Sequence, residues 1–179
     1  MLIFPLHTGD PVIDAYRLGV STSGSVITQI TFTDQEQRPA IQTDDPLVAQ
    51  IDQALSAWYD GEVSKLRALP LVAPATPWAA SIRTVLHALP LGKTLSYAQL
   101  AQRANNARAV RAAASACARN PFPLVIPCHA VIPQPTQDNL ENDRTLVINP
   151  HFPTANYAFG SDLKRALLKF EYEHSHQLR

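Results

Sequence analysis

The sequence predicts an α/β fold in two parts. The first is a small strand-rich N-terminal domain with one helix, residues 1–70. The second is a mostly helical C-terminal domain, residues 76–179, with a helix-turn-helix and a Cys-His strand. Three observations predict it. Residues 2–33 are rich in β-branched side chains that partly alternate with polar ones, the period of a half-buried strand. Later segments carry apolar side chains at helical spacing behind recognisable caps. Between the two lies Leu66 to Pro77, whose three prolines, Pro70, Pro74 and Pro77, read as an extended linker and mark the boundary.

Val12 to Leu18 and Ser25 to Phe32 are the expected strands of a hairpin, with Ser21-Thr22-Ser23-Gly24 as the turn signal. Asp44-Asp45-Pro46 starts a helix that presents Leu47, Val48, Ile51, Leu55 and Trp58 on one face and stops at Gly61. Thr76-Pro77 is an N-cap followed by proline at the first helical position. The helix it opens, Trp78 to Leu89, buries Ile82, Val85, Leu86 and Leu89. Pro90-Leu91-Gly92-Lys93 is a turn. Ser96-Tyr97-Ala98-Gln99 is a capping box opening a short helix through Arg103. After a turn at Asn105-Asn106, a second helix is expected from Ala107 to Arg119, and the pair has the plan of a helix-turn-helix. Pro133 to Asp143 reads as a polar loop and Thr145 to Ile148 as a short strand. Ser161-Asp162 caps a last helix with Leu163, Ala166, Leu167 and Phe170 on one face and Glu171 at the end of the stripe.

Hydrophobic residues make up 46% of the chain and charged residues 17%, enough apolar surface for a core and too little charge for long disordered tails. The start shows no signal-peptide pattern, and no run is long and apolar enough to span a bilayer. With only Cys117 and Cys128, a disulfide framework is not expected, a reducing cytoplasm is, and zinc-ligand spacing is absent. Net charge is zero, yet no Asp or Glu falls between Glu62 and Asp138. That interval holds Lys65, Arg67, Arg83, Lys93, Arg103, Arg108, Arg111 and Arg119, a distribution suited either to a phosphate-binding face or to ordinary solvated arginines.

The chemistry-bearing stretch is Asn120 to Pro133, apolar, broken by prolines, with Cys128-His129 in its middle. A thiolate is the nucleophilic form of cysteine, and histidine can take the proton it gives up. Neighbours on an extended segment point to opposite faces, so His129 should reach Cys128 through a water or a bend. Taken by itself, such a pair is more often a buried structural cysteine in a core strand, and it is the setting that points to chemistry. The helix before it is almost without large side chains at Ala109, Ala112, Ala113, Ala114, Ala116 and Ala118, which allows close approach to a DNA groove or to another protein surface.

Taken together these residues resemble the O6-alkylguanine-DNA alkyltransferases, the methylated-DNA–protein-cysteine methyltransferases. The matching residues are Leu91-Gly92-Lys93-Thr94-Leu95-Ser96-Tyr97 with Leu100-Ala101, Asn120-Pro121, Ile126-Pro127-Cys128-His129 with Val131-Ile132, Asn156-Tyr157, and Lys164 with Leu167-Leu168 and Glu171. The resemblance covers Thr76 to Glu171. It implies irreversible transfer of an alkyl group from a flipped O6-alkylguanine in double-stranded DNA to the protein's own cysteine, with no cofactor, metal or membrane, by a monomer. By position it makes Cys128 the nucleophile, His129 its base through a water, Glu171 the partner that orients His129, and Asn120 a brace for the turn before the nucleophile. Tyr97 would press on the target phosphate, with Ser96 and Arg119 in the DNA-binding set. Tyr157 and Phe159 would line the base pocket. The arginine that enters the base stack is Arg108 by literal string and Arg111 by ungapped spacing, and the spacing favours Arg111.

The chain departs from the family pattern at Ala130, where an arginine is usual, at Ala114, at Phe159, and in the length of the connection from Pro133 to Asn156. A non-catalytic sensor of alkylated DNA and a winged-helix regulator with an inert cysteine remain as alternative readings. A cysteine hydrolase is disfavoured, because no glycine-rich elbow accompanies Cys128.

Overall fold

The computed structural model describes residues 1–34, 45–149 and 151–177. The chain divides into two compact units. One comprises Met1–Val72 with Pro121–Val125, the other Ala73–Asn120 with Ile126–Arg179.

The first unit holds a three-stranded antiparallel sheet, β1 (Leu2–Pro5), β2 (Arg17–Ser23) and β3 (Val26–Thr33), in that spatial order. The register places Phe4, Leu18 and Phe32 in one cross-strand row and Leu2, Val20 and Ile30 in the next. Alternation along each strand therefore gives this face a buried apolar surface. The β2–β3 hairpin is present as expected. Val12 to Asp14, however, is not strand but part of a short helix, α1 (Pro11–Asp14). Asp10 caps it by accepting from the Val12 and Ile13 amides, and Pro11 at the first position cannot supply the amide a strand ladder needs. Helix α2 (Pro46–Tyr59) starts at the Asp45 cap and buries Leu47, Val48, Ile51, Leu55 and Trp58. Gly61, at φ 83°, follows its end, and Asp44 lies outside the described residues.

The expected linker is partly structured. Leu66 belongs to α3 (Ser64–Arg67), and the chain then runs beside β3, where Ile27 donates to the Pro70 carbonyl at 2.8 Å and Val72 to the Ile27 carbonyl at 2.9 Å. Pro121–Val125 is held to the same strand by the Ile30 amide, which donates to the Pro121 carbonyl at 2.7 Å.

The second unit opens with α4 (Pro77–His87), capped by Thr76 and burying Ile82 and Leu86. After Leu89 the Pro90–Lys93 turn passes through Gly92 at φ 67°. A Cβ there would sit 2.8 Å from both the Glu171 carbonyl oxygen and the Ser175 Cβ. Gly92→Ala is therefore expected to cost about 2 kcal/mol or more of stability, read as a lower unfolding midpoint, because both φ and space are wrong for a side chain. Strand β4 (Leu95–Ser96) leads directly into α5 (Tyr97–Arg103), whose capping box is complete. Ser96 Oγ accepts from the Gln99 amide, and the Ser96 amide donates to Gln99 Oε1.

A left-handed residue, Asn105 at φ 61°, turns the chain into α6 (Val110–Ala118). This helix starts three residues after the expected Ala107. Nothing in Ala107-Arg108-Ala109 can cap it, and the Ala109 amide instead closes a turn onto the Asn106 carbonyl. Ala113 and Cys117 face inward, while Arg111, Ala112, Ala118 and Arg119 are exposed.

The remaining differences from expectation lie after Asn120. Cys128-His129-Ala130 form a single 3₁₀ turn, not a strand, and only β5 (Val131–Ile132) is extended, pairing in parallel with β4. The supposed polar loop is a helix, α7 (Gln134–Asn142), and Arg144–Ile148 form a second 3₁₀ segment in place of a strand. Leu140 and Val147 from these segments join Ile132, Phe152 and Leu168 in a buried cluster. That burial fixes helices which the polar composition alone would not demand. Helix α8 (Ser161–Gln177) completes the unit, with Leu163, Ala166, Leu167 and Phe170 buried as expected.

Candidate active site

The site is built on the bend that follows α6. The helix ends at Ala118 with Arg119 as its cap, and Asn120 turns its side chain across the loop it starts. Asn120 Nδ2 donates to the Ile126 carbonyl at 2.7 Å and reaches Cys128 Sγ at 3.1 Å. One amide thus closes the loop and touches the sulfur. The Cys128 amide turns back onto the Ile126 carbonyl at 2.7 Å, and the Ala130 amide onto the Pro127 carbonyl at 3.0 Å. This tight bend supplies the change of direction that an extended Cys-His pair would lack.

Cys128 and His129 are both buried, at 5% and 0% exposure. Burial pushes the Cys128 thiol up, opposed by the Asn120 hydrogen bond and the positive charge of Lys164. His129 Nε2 pairs with Glu171 Oε1 of α8 at 2.8 Å, with the carboxylate also buried. The other ring nitrogen, Nδ1, is buried and completes no hydrogen bond among the described residues. A carboxylate accepts only, so with Nε2 as the donor to Glu171 the neutral ring keeps its basic lone pair on Nδ1. The set is a buried thiol, an imidazole with one free basic nitrogen, and a carboxylate able to stabilise the imidazolium.

Lys164 is the site residue to which the sequence reading gave no role. Its Nζ donates to the Val131 carbonyl at 2.6 Å and lies 5.9 Å from the centroid of the Tyr157 ring. Burial lowers its pKa to about 8, partly offset by the two cysteines. A signal was available: Lys164, Leu167, Leu168 and Glu171 follow the i, i+3, i+4, i+7 spacing of a single helical face, with a charge at each end of it. Cations on an otherwise buried face are rare without a task or a partner.

Tyr157 has its hydroxyl buried, and burial followed by the Cys128 charge raises its pKa well above the usual value. The Phe159 ring packs edge-on against it at 5.5 Å between centroids. Ala130 is 1% exposed, so the space at this departure from the family pattern is already filled. Tyr97, the first residue of α5, is half-buried, and burial plus the two nearby thiols push its phenol up to about 12. Ser96 is fully buried and occupied in the capping box. Arg108 lies in the turn between α5 and α6, Arg111 in the first turn of α6 and Arg119 at its end; all three are exposed. The structure thus brings Cys128, His129, Glu171, Asn120, Lys164 and Tyr157 into one cluster and leaves the arginines on the outside of the α5–α6 pair.

Cys117 is a second buried thiol, pushed up to about 12, first by burial and then by Cys128. At pH 8 only about one molecule in ten thousand would carry its thiolate. In a Cys128→Ser background, iodoacetamide is expected to leave the folded protein unlabelled and to label Cys117 once denaturant is added.

Comparison with known proteins gives the family and the fold of the chain. The family model described as 6-O-methylguanine DNA methyltransferase, DNA binding domain, matches residues 77–173. A methylated-DNA–protein-cysteine methyltransferase of Haemophilus influenzae is 30% identical over 159 residues, spanning 87% of this chain and 80% of that protein. The crystal structure of Mycobacterium tuberculosis OGT in complex with DNA matches with a TM-score of 0.66 at 26% identity, covering 88% of each chain. Mycobacterium tuberculosis O6-methylguanine methyltransferase matches with a TM-score of 0.67 over 97% of this chain and 94% of that one; at 23% identity this is a likeness of fold.

Proposed function

Because the chain belongs to the 6-O-methylguanine DNA methyltransferase family, whose named activity moves a methyl group from methylated DNA to a protein cysteine, we propose that Cys128 is the acceptor and that the protein repairs O6-alkylguanine in double-stranded DNA by alkylating itself. The observation that carries this reading is the contact of Cys128 Sγ with Asn120 Nδ2 at 3.1 Å, beside a His129 whose other nitrogen is held by Glu171 at 2.8 Å.

A raised thiol pKa means that the proton must leave as the reaction proceeds. His129 Nδ1, the ring nitrogen that Glu171 does not engage, takes it through a water, and Glu171 stabilises the imidazolium that results. The Lys164 charge and the Asn120 N–H favour the thiolate as it forms. The sulfur attacks the alkyl carbon bonded to O6, a C–S bond replaces the C–O bond, whose electron pair stays on the base, and the resulting guanine anion takes up a proton at N1, balancing the one His129 received. A thioether has no low-energy return path, so each molecule acts once.

The reactive carbon is unreachable inside a stacked duplex, so the base must be turned out. The Tyr157 and Phe159 rings supply the apolar wall against which it would stack. The α5–α6 pair, with Tyr97 at its entrance and Arg111 in the first turn of α6, is the DNA-reading element in this proposal, and its exposed alanines allow close approach to the groove. Arg111 is taken as the intruding side chain because it projects from a helix, whereas Arg108 lies in the turn before it. Both cysteines are free, as a reducing compartment keeps them, and a cytoplasmic location forms part of the proposal. Among the described residues no helix is long and apolar enough to cross a membrane.

The test is intact mass and peptide mapping after mixing the protein with a duplex containing O6-methylguanine. A single methyl group on the Cys128 peptide supports the reading. An unchanged mass with retained lesion binding would replace it with the sensor reading.

A further inference from the structure

Helix α7 is the element that neither the sequence reading nor the proposed chemistry accounts for. It follows the active-site segment after one residue, Pro133, and is polar over most of its surface, yet it buries Thr136 and Gln137. The buried glutamine is fully engaged. Thr94 Oγ1 donates to Gln137 Oε1 at 2.7 Å, and Gln137 Nε2 donates to Glu141 Oε1 at 3.4 Å. The same carboxylate oxygen accepts from Gln99 Nε2 at 3.3 Å, while Gln99 Oε1 accepts from the Ser96 amide at 2.8 Å. Thr94 and Gln99 lie on either side of the β4–α5 junction. Both ends of that junction are therefore tied to α7, and its middle is tied to β5 through the Leu95–Val131 and Ser96–Ile132 pairs.

A capping box needs only the acceptor oxygen of the residue at this position, and glutamate would serve as well. Glutamine adds an N–H, and here that N–H reaches α7. We propose that α7 is a docking brace for the DNA-reading pair: through Gln137, Glu141 and Gln99 it fixes the entry angle of α5 and so the position of Tyr97 on the duplex. Gln99, Gln137 and Glu141 are positioning residues, and they act on DNA affinity and not on the transfer of the alkyl group. The inference rests on the assignment of α5–α6 to DNA.

Three variants of the full-length protein test it. Gln99→Glu keeps the cap but loses the donor and faces Glu141 with a second carboxylate. Glu141→Leu removes the shared acceptor at an exposed position, and a thermal unfolding midpoint measured beside it shows that the protein is still folded. The exchange Gln99→Glu with Glu141→Gln keeps net charge and restores the bond in reverse. Kd is measured by fluorescence anisotropy on lesion-bearing and on undamaged duplex, with Cys128→Ser added to prevent reaction. The rate of methyl transfer is measured in single turnover at saturating duplex, with Cys128 present.

Both single variants are expected to weaken binding of either duplex about tenfold with the saturated rate unchanged, and the exchange to restore binding. Unchanged affinity in Glu141→Leu, failure of the exchange to rescue, or a lower saturated rate with normal affinity would each overturn the inference. If the unaltered protein gains no methyl group, the repair reading falls instead. Affinity for undamaged duplex still decides the role of α7.

Discussion

A Cys128→Ser protein will bind a duplex carrying O6-methylguanine and leave the methyl group on the base. Serine is close to cysteine in shape, and Asn120 Nδ2, now 3.1 Å from sulfur, can donate to a hydroxyl instead, so the loop it closes should hold. The stability change is expected to stay within about 1 kcal/mol, because no cavity and no orphaned donor result. The chemistry does not survive, because an alkoxide is far harder to generate than a thiolate and a hydroxyl oxygen is a much poorer nucleophile than sulfur toward an alkyl carbon. Transfer should fall by about 10⁴-fold or more, below detection in a mass measurement, while anisotropy shows the duplex still bound. Methyl transfer at the unaltered rate in this variant would move the acceptor elsewhere.

Replacing Glu171 should damage stability and chemistry together, and the two losses can be separated. His129 is 0% exposed and already has one nitrogen without a partner, so Glu171→Leu would leave both ring nitrogens buried and unpaired. Breaking one side of such a buried pair costs about 3–5 kcal/mol, a large share of a domain's stability. Glu171→Gln keeps an acceptor for Nε2–H and should cost only about 1 kcal/mol. It no longer stabilises an imidazolium, however, and the single-turnover rate should drop about 10²-fold. Thermal unfolding separates the variants, and quenched single-turnover transfer reads the catalytic loss. Full activity in the Glu171→Gln variant would show that the carboxylate charge is not needed.

The elements legible in the sequence were those that announce their own ends. The Thr76-Pro77 and Ser96-to-Gln99 caps, the Asp45-Pro46 start and the apolar stripe of α8 are local signals, and each element formed where they placed it. The misread elements depend on distant partners. Helix α7 is anchored by Leu140 in a cluster with Phe152 and Leu168, which no pattern within residues 134–142 contains. The 3₁₀ turn at Cys128 is set by Asn120, eight residues earlier. Residues 12–14 have strand composition, yet Asp10 and Pro11 override it. In the candidate site, Cys128, His129, Glu171 and Asn120 were visible by resemblance. Lys164 was quoted only for its place in a motif, because its task depends on the carbonyl of Val131, thirty-three residues away.

The division of the chain into units also bears on modularity. A module that can be shed or exchanged is a continuous run of sequence, entered once and left once. The first unit is not. It reclaims Pro121–Val125 from the stretch between Asn120 and Ile126, and Ile30 of β3 holds that segment by its backbone. A gene encoding only residues 73–179 would thus deliver the nucleophile with five residues of its approach missing their native partner strand. The N-terminal part cannot be trimmed away or swapped by a single cut, and recombination at the apparent boundary would transmit an incomplete unit.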